Sequence, residues 1–171
     1  QCHGCISATA GLTVANHISW IDILALATLR NFVFIAKSEV SEWPLLGTMF
    51  QGIGTLFVRR GNSDSSALIA NQMTDRLEHG IPLLLFPEAT TTDGSLVRRF
   101  GAKLFDPATR TGATIQPVGI RYEGSSRGVA PFIGEDTFLA HLMRVVQANS
   151  IHISLNFGPE IHAAAETKES L

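Results

Sequence analysis

The composition of this 171-residue sequence is that of a folded and rather apolar protein. Hydrophobic residues make up 45% of it, and charged residues make up 16%, below the roughly 25% that is usual for soluble domains. This balance disfavours intrinsic disorder and coiled coils. Thirteen Lys and Arg residues against fifteen Asp and Glu residues give a net charge of −2, so general binding to nucleic acid is not expected.

A chain of this length is most simply one domain, here residues 1–171, with ragged ends at about 1–10 and 163–171. The positive mean hydropathy of +0.19 fits either a large buried sheet or a surface that touches lipid. The longest apolar stretches, such as residues 21–29, are much shorter than the roughly 18–20 residues that a membrane-spanning helix needs. We therefore expect no spanning helix, whereas peripheral contact with a membrane stays open.

The N-terminal residues include a Cys-x-x-Cys pair, Cys2 and Cys5. Such pairs occur in redox motifs and in zinc sites, but neither a strand-to-helix context nor a second ligand pair accompanies this one. A ragged terminus is the simpler interpretation, and no metal site is expected. The sequence begins with Gln1 and has no Met before Met49, so we expect a fragment or a processed chain that can lack its targeting signals.

Short β-branched and aromatic runs alternate with helix-like stretches along the chain. The predicted strands are residues 12–15, 32–36, 54–58, 82–86, 114–120 and 151–157, and the predicted helices are residues 20–30, 65–79 and 136–147. Runs that are apolar at every position, such as PLLLF at 82–86, are typical of strands covered on both faces. The alternation predicts a single-domain α/β sandwich with a largely parallel or mixed central sheet flanked by helices.

Two of the predicted helices have apolar residues at helical spacing. In residues 65–79 these are Leu68, Ile69, Met73 and Leu77, and Gly80 is the predicted C-cap. In residues 136–147 one side is predicted to carry Phe138, Leu139, Leu142, Val145 and Val146. Each set predicts the face of the helix that packs on the sheet.

The segment 98–127 has a local excess of basic residues. It contains Arg98, Arg99, Lys103, Arg110, Arg121 and Arg127, against Asp106 and Glu123. Ordinary solvated charge explains such a stretch, and so does contact with anionic headgroups or an acidic carrier protein.

Among six histidines, His17 stands out by its position. It follows the first predicted strand and precedes a predicted helix, and the carboxyl edge of the strands is where open α/β sheets place their sites. Ser19 and Asp22 fit a capping box at the start of that helix, which gives Asp22 a structural interpretation. The same turn brings the Asp22 carboxylate within reach of the His17 imidazole, where it would leave the other ring nitrogen free to accept a proton. The two interpretations are compatible.

Two other predicted strands also end in polar side chains. Glu88 follows the strand 82–86, where its carboxylate can bind a hydroxyl or anchor a loop. Arg59 and Arg60 follow the strand 54–58, where a guanidinium suits bidentate anion binding or an exposed ion pair. Ser19 is not expected to be a nucleophile, because no Gly-x-Ser-x-Gly elbow surrounds it.

An ordered set of sequence blocks resembles the glycerolipid acyltransferase family, which 1-acylglycerol-3-phosphate acyltransferases typify. The blocks are NHISWID at 16–22, FIAKSEV at 34–40, GTLFVRRG at 54–61, FPEATTTDG at 86–94 and QPVGIRY at 116–122, and the similarity continues through 130–146. An Asn-His pair with an Asp five positions after the His is a weak pattern alone. The blocks in this order and at these intervals are specific, so most of the chain carries the resemblance.

The resemblance implies an O-acyltransferase with no bound cofactor. His17 would remove the proton from a lysolipid hydroxyl as a general base, and Asp22 would hold and polarise it. The oxygen would then attack the thioester carbonyl of acyl-CoA or acyl-ACP without a covalent acyl-enzyme, while backbone N–H groups stabilise the oxyanion. The resemblance also implies membrane lipid biosynthesis by a peripheral protein at the cytoplasmic face of a bacterial-type inner membrane.

The resemblance further implies a set of substrate-binding residues. Arg60 matches the arginine of the second block and would bind the acceptor headgroup, with Lys37 assisting. Glu88 and Thr90 match the glutamate and the threonine of the third block.

The third block departs from the usual pattern of the family, which reads Phe-Pro-Glu-Gly-Thr-Arg. Here Ala89 replaces the Gly and Thr91 replaces the Arg. Without the guanidinium a phosphomonoester headgroup is less favoured, and the pattern is more similar to the branch that acylates lyso-ornithine lipid. We therefore expect lyso-ornithine lipid as acceptor, with 1-acylglycerol-3-phosphate second because Arg98 or Arg99 could restore the charge. Ala89 would be strained if the backbone there needs a positive φ.

Two other functions stay open from the sequence. One is a non-catalytic lipid- or carrier-binding module on the same fold. The other is a lipid or thioester hydrolase that uses water as the acceptor in the same pocket.

Overall fold

A computed structural model describes residues 2–43, 46–52, 54–58 and 63–163; of Lys37, Leu46, Met49, Ser63 and Asp64 it describes the backbone alone. The strands are β1 (Cys2–His3), β2 (Leu12–Ala15), β3 (Val33–Lys37), β4 (Leu56–Val58), β5 (Leu83–Leu85), β6 (Thr114–Tyr122), β7 (Ile153–Phe157) and β8 (Ile161–His162). The helices are α1 (Ile21–Ala27), α2 (Leu46–Gly52), α3 (Ser63–Glu78), α4 (Asp106–Thr111), α5 (Ser126–Val129) and α6 (Phe138–Val146). Ser38–Glu42 and Ala102–Phe105 form 3₁₀ turns.

The described strands form one mixed sheet in the order β1-β7-β6-β2-β5-β3-β4, and β8 also pairs with β6. Strands β6, β2, β5, β3 and β4 are parallel to one another, whereas β7 and β8 run antiparallel to β6. The predicted α/β architecture is confirmed, and every predicted strand and helix is present; β2 has the predicted ends, and the ends of the others differ by up to a few residues.

Strand β5 shows why the central sheet is so apolar. Leu84 packs into a cluster on one face with Phe34 and Phe50. Its neighbours Leu83 and Leu85 pack into a cluster on the other face. Because side chains alternate along a strand, a strand covered on both faces has to be apolar at every position, as the sequence predicted for 82–86.

Helix α3 packs on the sheet through Ile69, Met73 and Leu77 and ends at Glu78, two residues before the predicted cap Gly80. Gly80 has a φ of 69°, and its N–H donates to Leu77 O at 3.1 Å, an arrangement that suits glycine. The prediction that Leu68 belongs to the packed face is wrong, since 58% of its surface is exposed. In the described part of the chain, no helix is both long enough and apolar enough to cross a membrane.

Helix α6 is apolar on more than one side. Phe138, Leu142 and Val145 pack into the cluster that contains Leu84 and Phe34. Leu139 and Val146, which the sequence placed on the same side, are 66% and 67% exposed. A nine-residue helix can touch the sheet along one stripe only, so its remaining apolar residues face outward.

The start of the described chain is tied to the sheet, although the sequence predicted that residues 1–10 are ragged. Strand β1 pairs with β7 in parallel. The Arg30 guanidinium donates to the carbonyl oxygens of Ser7, Ala8 and Ala10 at 2.7–3.0 Å. These three carbonyl groups thus obtain from one side chain the hydrogen bonds that a neighbouring strand would otherwise supply.

The short elements α2, α4, α5, β1 and β8 were not predicted. Two-residue strands and helices of four to seven residues are too short to show a period. Helix α4 does carry a recognisable signal, because Pro107 lies in its first turn and Gly112 ends it with a left-handed φ of 64°.

The burial of β5 makes a direct test of the core. Leu84→Ala should destabilise the chain by about 2–5 kcal/mol, because it opens a cavity under a fully buried strand. The exposed Leu68→Ala should change stability by less than about 0.5 kcal/mol. Urea unfolding followed by circular dichroism would measure both, and equal effects of the two substitutions would contradict the assignment of β5 to the core.

Candidate functional site

The carboxyl ends of the central parallel strands bring the predicted polar residues to one edge of the sheet. Strand β2 is followed by Asn16 and His17, β5 is followed by Phe86 and Glu88, and β6 ends at Tyr122. Since β2 lies between β5 and β6, the turn that begins at His17 is flanked by both of these strand ends.

His17 and Asp22 form a hydrogen-bonded pair. His17 Nδ1 lies 2.9 Å from Asp22 Oδ2. The Asp22 side chain is fully buried, whereas the His17 side chain is 17% exposed. In a neutral imidazole a carboxylate on Nδ1 keeps the proton on that nitrogen and leaves Nε2 as the acceptor. The arrangement can therefore take a proton from a group that approaches Nε2.

The Asp22 carboxylate also organises the turn before α1. Its Oδ2 accepts the N–H groups of Ile18 at 2.7 Å and Ser19 at 2.9 Å. Ser19 Oγ accepts the N–H of Ile21 at 3.4 Å, so only the carboxylate half of the predicted capping box forms as expected. Asp22 thus starts the helix and binds the imidazole at the same time.

The other oxygen of Asp22 binds a residue that the sequence analysis missed. The Tyr122 hydroxyl donates to Asp22 Oδ1 at 2.7 Å from the end of β6. Burial, reinforced by the Asp22 charge, raises the pKa of the Tyr122 phenol far above its ordinary value. The phenol therefore stays protonated and donates to the carboxylate, and its oxygen also interacts with the Ser19 side chain. One hundred residues separate the two positions, so no local pattern could have paired them.

The His17 imidazole is held from several directions. The Phe86 ring stacks on it, with 4.1 Å between ring centroids and 20° between planes. The His17 backbone N–H donates to Glu88 Oε1 at 3.1 Å, and its carbonyl accepts the N–H of Thr92 at 2.9 Å. The segment that follows β5 therefore fixes both the backbone and the ring of His17.

Glu88 is buried and joins two loops. Besides His17 N–H, its carboxylate accepts the N–H of Arg98 at 3.4 Å through Oε2. These contacts are those of the loop-anchoring interpretation. A substrate hydroxyl would have to share an oxygen that already accepts a backbone N–H.

The backbone at Ala89 has a positive φ of 58°. This left-handed conformation is one that glycine adopts freely and alanine does not, so the Ala in place of the family's Gly is strained here. The turn is closed by the Ala89 N–H, which donates to Phe86 O at 3.0 Å. Two residues later, the Thr91 hydroxyl donates to Phe132 O.

An apolar cavity of about 240 Å³ lies beside His17. Its walls are mainly aromatic and aliphatic, and they include Trp20, Ile35, Val40, Trp43, Phe50, Phe86 and Phe132. Ala89, Thr90 and Thr91 line it together with His17. The cavity therefore joins a hydrophobic interior to the imidazole and to the segment after β5.

A second, polar cavity of about 480 Å³ adjoins Ile18 and Tyr122. Asp93, Ser95, Arg121 and Arg127 also line it. Of the residues that line it, Tyr122 binds Asp22 through its hydroxyl.

The Trp20 wall of the apolar cavity is fixed by a buried histidine. Trp20 Nε1 donates to His141 Nδ1 at 2.9 Å, and His141 Nε2 lies 3.1 Å from the carbonyl oxygens of Ala130 and Pro131. The proton of a neutral ring therefore sits on Nε2. Burial lowers the pKa of His141, which keeps the ring neutral. This histidine has the contacts of a structural residue.

Three predicted anion-binding residues lie outside what the structure describes. These are Arg59, Arg60 and the side chain of Lys37. The Lys37 backbone ends β3 and pairs in register with Val58 of β4. The roles of these cations stay predictions.

Metal-binding groups do not cluster in the described ranges. No three His, Cys, Asp or Glu side chains there lie close enough to hold a metal ion. Cys2 and Cys5 are free thiols on the surface.

Comparison with known families gives a match over most of the chain. A family model described as Acyltransferase matches residues 3–121. A lyso-ornithine lipid O-acyltransferase from Pseudomonas aeruginosa is 45% identical over 84% of this chain and 57% of its own length. A 1-acyl-sn-glycerol-3-phosphate acyltransferase from Neisseria gonorrhoeae is 34% identical over 85% of this chain and 58% of its own length. The chain thus spans somewhat more than half the length of these relatives.

A solved structure shares the fold. The 1-acyl-sn-glycerophosphate acyltransferase PlsC from Thermotoga maritima superposes with a TM-score of 0.69 over 99% of this chain and 64% of its own, at 20% sequence identity. At that identity the likeness concerns the fold.

Because Ala89 is strained, an Ala→Gly substitution there should change stability in the opposite direction to the same substitution in a regular helix. Ala89→Gly should stabilise the chain by about 0.5–1 kcal/mol, because relief of the left-handed backbone exceeds the added freedom of the unfolded chain. Ala67→Gly, at an exposed position inside α3, should destabilise it by about 0.5–1 kcal/mol. Chemical unfolding of both variants would measure these changes, and a loss of stability in Ala89→Gly would contradict the strain.

Proposed function

The chain belongs to the acyltransferase family, and we propose that it is an O-acyltransferase that moves a fatty acyl group from a thioester to the hydroxyl of a lysolipid in membrane lipid synthesis. The observation that carries this proposal is the His17–Asp22 pair beside an apolar cavity. The names of the relatives, which are lyso-ornithine lipid and acylglycerol-phosphate acyltransferases, support the same chemistry.

In the proposed reaction His17 and Asp22 are the catalytic pair. Nε2 of His17 accepts the proton of the lysolipid hydroxyl while the oxygen attacks the thioester carbonyl. The tetrahedral intermediate then collapses, the carbon–sulfur bond breaks, and the thiol leaves with the proton returned by the imidazolium. Asp22 stabilises the imidazolium from Nδ1. A new ester and a free thiol are the products, and no cofactor is required.

The apolar cavity is the proposed site for an acyl chain. Its aromatic and aliphatic walls exclude water, and each buried methylene would contribute about 0.8 kcal/mol to binding. Because His17 lines the same cavity, an acyl chain bound there would have its carboxyl end near Nε2. The donor is acyl-CoA or acyl-ACP in this proposal.

The acceptor headgroup is proposed to meet the strand ends. Arg60 and Lys37 would bind it electrostatically, and Glu88 and Thr90 would lie beside it. Thr90 lines the cavity, which supports its part in this set.

Lyso-ornithine lipid is the proposed acceptor, with 1-acylglycerol-3-phosphate as the alternative. Thr91 occupies the position of the family's arginine, and its hydroxyl donates a hydrogen bond to Phe132 O. It supplies no positive charge for a phosphate, and the Pseudomonas aeruginosa relative named for lyso-ornithine lipid, at 45% identity, supports the same acceptor. Arg98 and Arg99 lie a few residues after Thr91 and are exposed. If 1-acylglycerol-3-phosphate is the acceptor, these two cations would bind its phosphate.

The proposed location is the cytoplasmic face of a membrane, where the protein would bind peripherally. Both a lysolipid acceptor and its diacylated product partition into bilayers, so the reaction requires access to a lipid surface. Exposed apolar residues such as Leu139 and Val146 are compatible with such access.

The proposed role of His17 as the general base can be tested by mutation. With purified protein, acyl-CoA and lyso-ornithine lipid, thiol release should depend on the acceptor and should fall by about 10²–10⁴-fold in His17→Ala. His152→Ala, which removes an exposed histidine, should retain the rate. Parallel reactions with 1-acylglycerol-3-phosphate and with acyl-ACP would identify the acceptor and donor.

The products separate the three functions. Free fatty acid in place of a diacylated lipid would favour the hydrolase. Lipid binding without thiol release, unaltered by His17→Ala, would favour the binding module.

The proposed preference for the acceptor headgroup can be tested at Thr91. Thr91→Arg should raise kcat/KM for 1-acylglycerol-3-phosphate relative to lyso-ornithine lipid by about tenfold, because a charge-assisted hydrogen bond to phosphate becomes available. Thr91→Val, which also loses the bond to Phe132 O, should leave this ratio unchanged. A ratio that moves equally in both variants would show that the loop, and not the charge, sets the preference.

A further inference from the structure

Tyr122 binds the oxygen of the Asp22 carboxylate that the His17 imidazole does not contact. Its side chain is 3% exposed, and its hydroxyl donates to Asp22 Oδ1 at 2.7 Å. The other carboxylate oxygen, Oδ2, already accepts from His17 Nδ1 and from the N–H groups of Ile18 and Ser19. The phenol is thus the one hydrogen-bond donor to Oδ1 that the described residues provide.

The position of Tyr122 is fixed by its surroundings. It pairs with Ile153 of β7 at the end of β6, and its carbonyl accepts Arg127 Nε at 3.3 Å. With the backbone held by a strand and a guanidinium, the phenol is held against Asp22 without a conformational cost at the moment of reaction.

A donor to a carboxylate controls how strongly that carboxylate attracts a proton. Each N–H or O–H bond withdraws electron density from Asp22 and so weakens its hold on a positively charged imidazole. Removing one donor would therefore keep His17 protonated, and inactive as a base, up to a higher pH. The elevated pKa of the phenol excludes ionisation of Tyr122 itself as the cause of such an effect.

We propose that Tyr122 is a positioning residue, which orients Asp22 through Oδ1 and tunes the strength of His17 as a general base. The proposal rests on the acyltransfer reaction proposed above. It assigns Tyr122 no contact with substrate.

Other charged groups also face this cluster. The carboxylate of Glu88 lies on the His17 backbone, while Asp93, Arg121 and Arg127 line the polar cavity beside Tyr122. His141 lies behind Trp20 and is kept neutral by burial. The substitutions below leave all of these groups in place, so a change in pH dependence reports on the phenol.

The first variant removes the hydroxyl alone. Tyr122→Phe should lower kcat by about tenfold at pH 7, the range expected for losing one hydrogen bond to a charged group, with KM nearly unchanged. The acid limb of the pH–kcat profile should move to higher pH by about half a unit or more. The matched control is Ile120→Val, which loosens the same strand without touching Asp22 and should leave the acid limb in place.

A second measurement strengthens the donor instead of removing it. Tyr122 is the single tyrosine of the 171-residue sequence, so biosynthetic replacement of tyrosine by 3-fluorotyrosine modifies this position alone. The more acidic fluorophenol is a stronger donor and should move the acid limb to lower pH, opposite to Tyr122→Phe. A limb that stays in place in both proteins, or moves in one direction in both, would overturn the proposal.

The fluorine also gives a readout that needs no turnover. The ¹⁹F resonance should shift with pH as His17 gains a proton, and it should not shift in this way in His17→Ala. An inactive protein whose resonance still responds to His17 would contradict the acyltransferase function but support the link through Asp22. An active protein whose resonance ignores His17 would contradict the role of Tyr122 alone.

Discussion

The buried Asp22 carboxylate is the group around which the site is built. A charge removed from water is strongly destabilising unless donors compensate it, and here four donors do so: an imidazole, two backbone N–H groups and a phenol. Satisfying this one side chain requires the turn before α1, the His17 ring and the end of β6 to take up defined positions. The same contacts that stabilise the fold thereby orient the His17–Asp22 pair that we propose is catalytic.

The turn at His17 is also secured by both neighbouring strands. On the β6 side, the Asn16 amide accepts the N–H of Ile120 at 2.6 Å and donates to its carbonyl at 3.0 Å, which extends the pairing of β2 and β6 beyond the end of β2. On the β5 side, Glu88 accepts the His17 N–H. A parallel sheet supplies this support because the carboxyl ends of its adjacent strands lie at one edge.

The apolar cavity and the strained turn at Ala89 adjoin the His17–Asp22 pair. The cavity reaches His17 through the segment 89–91, where Ala89 holds a left-handed conformation and Thr91 binds Phe132 O. The left-handed turn at Ala89 precedes Thr90 and Thr91, which line the cavity wall. The acceptor preference that we propose therefore depends on one short segment, whereas the His17–Asp22 pair is positioned by the sheet.

Local sequence patterns specify the features that depend on near neighbours along the chain. The strands, the long helices, the Gly80 cap and the spacing of His17 and Asp22 all follow from patterns within a few residues, and the ordered blocks suggested the family that the comparisons then showed. The packing of the sheet and helices sets which helix faces are covered, as Leu68 and Leu139 demonstrate, and which distant side chain reaches Asp22. The reason is physical: periodicity encodes local geometry, whereas the contact of Tyr122 with Asp22 arises only after β6 has paired with β2 in register.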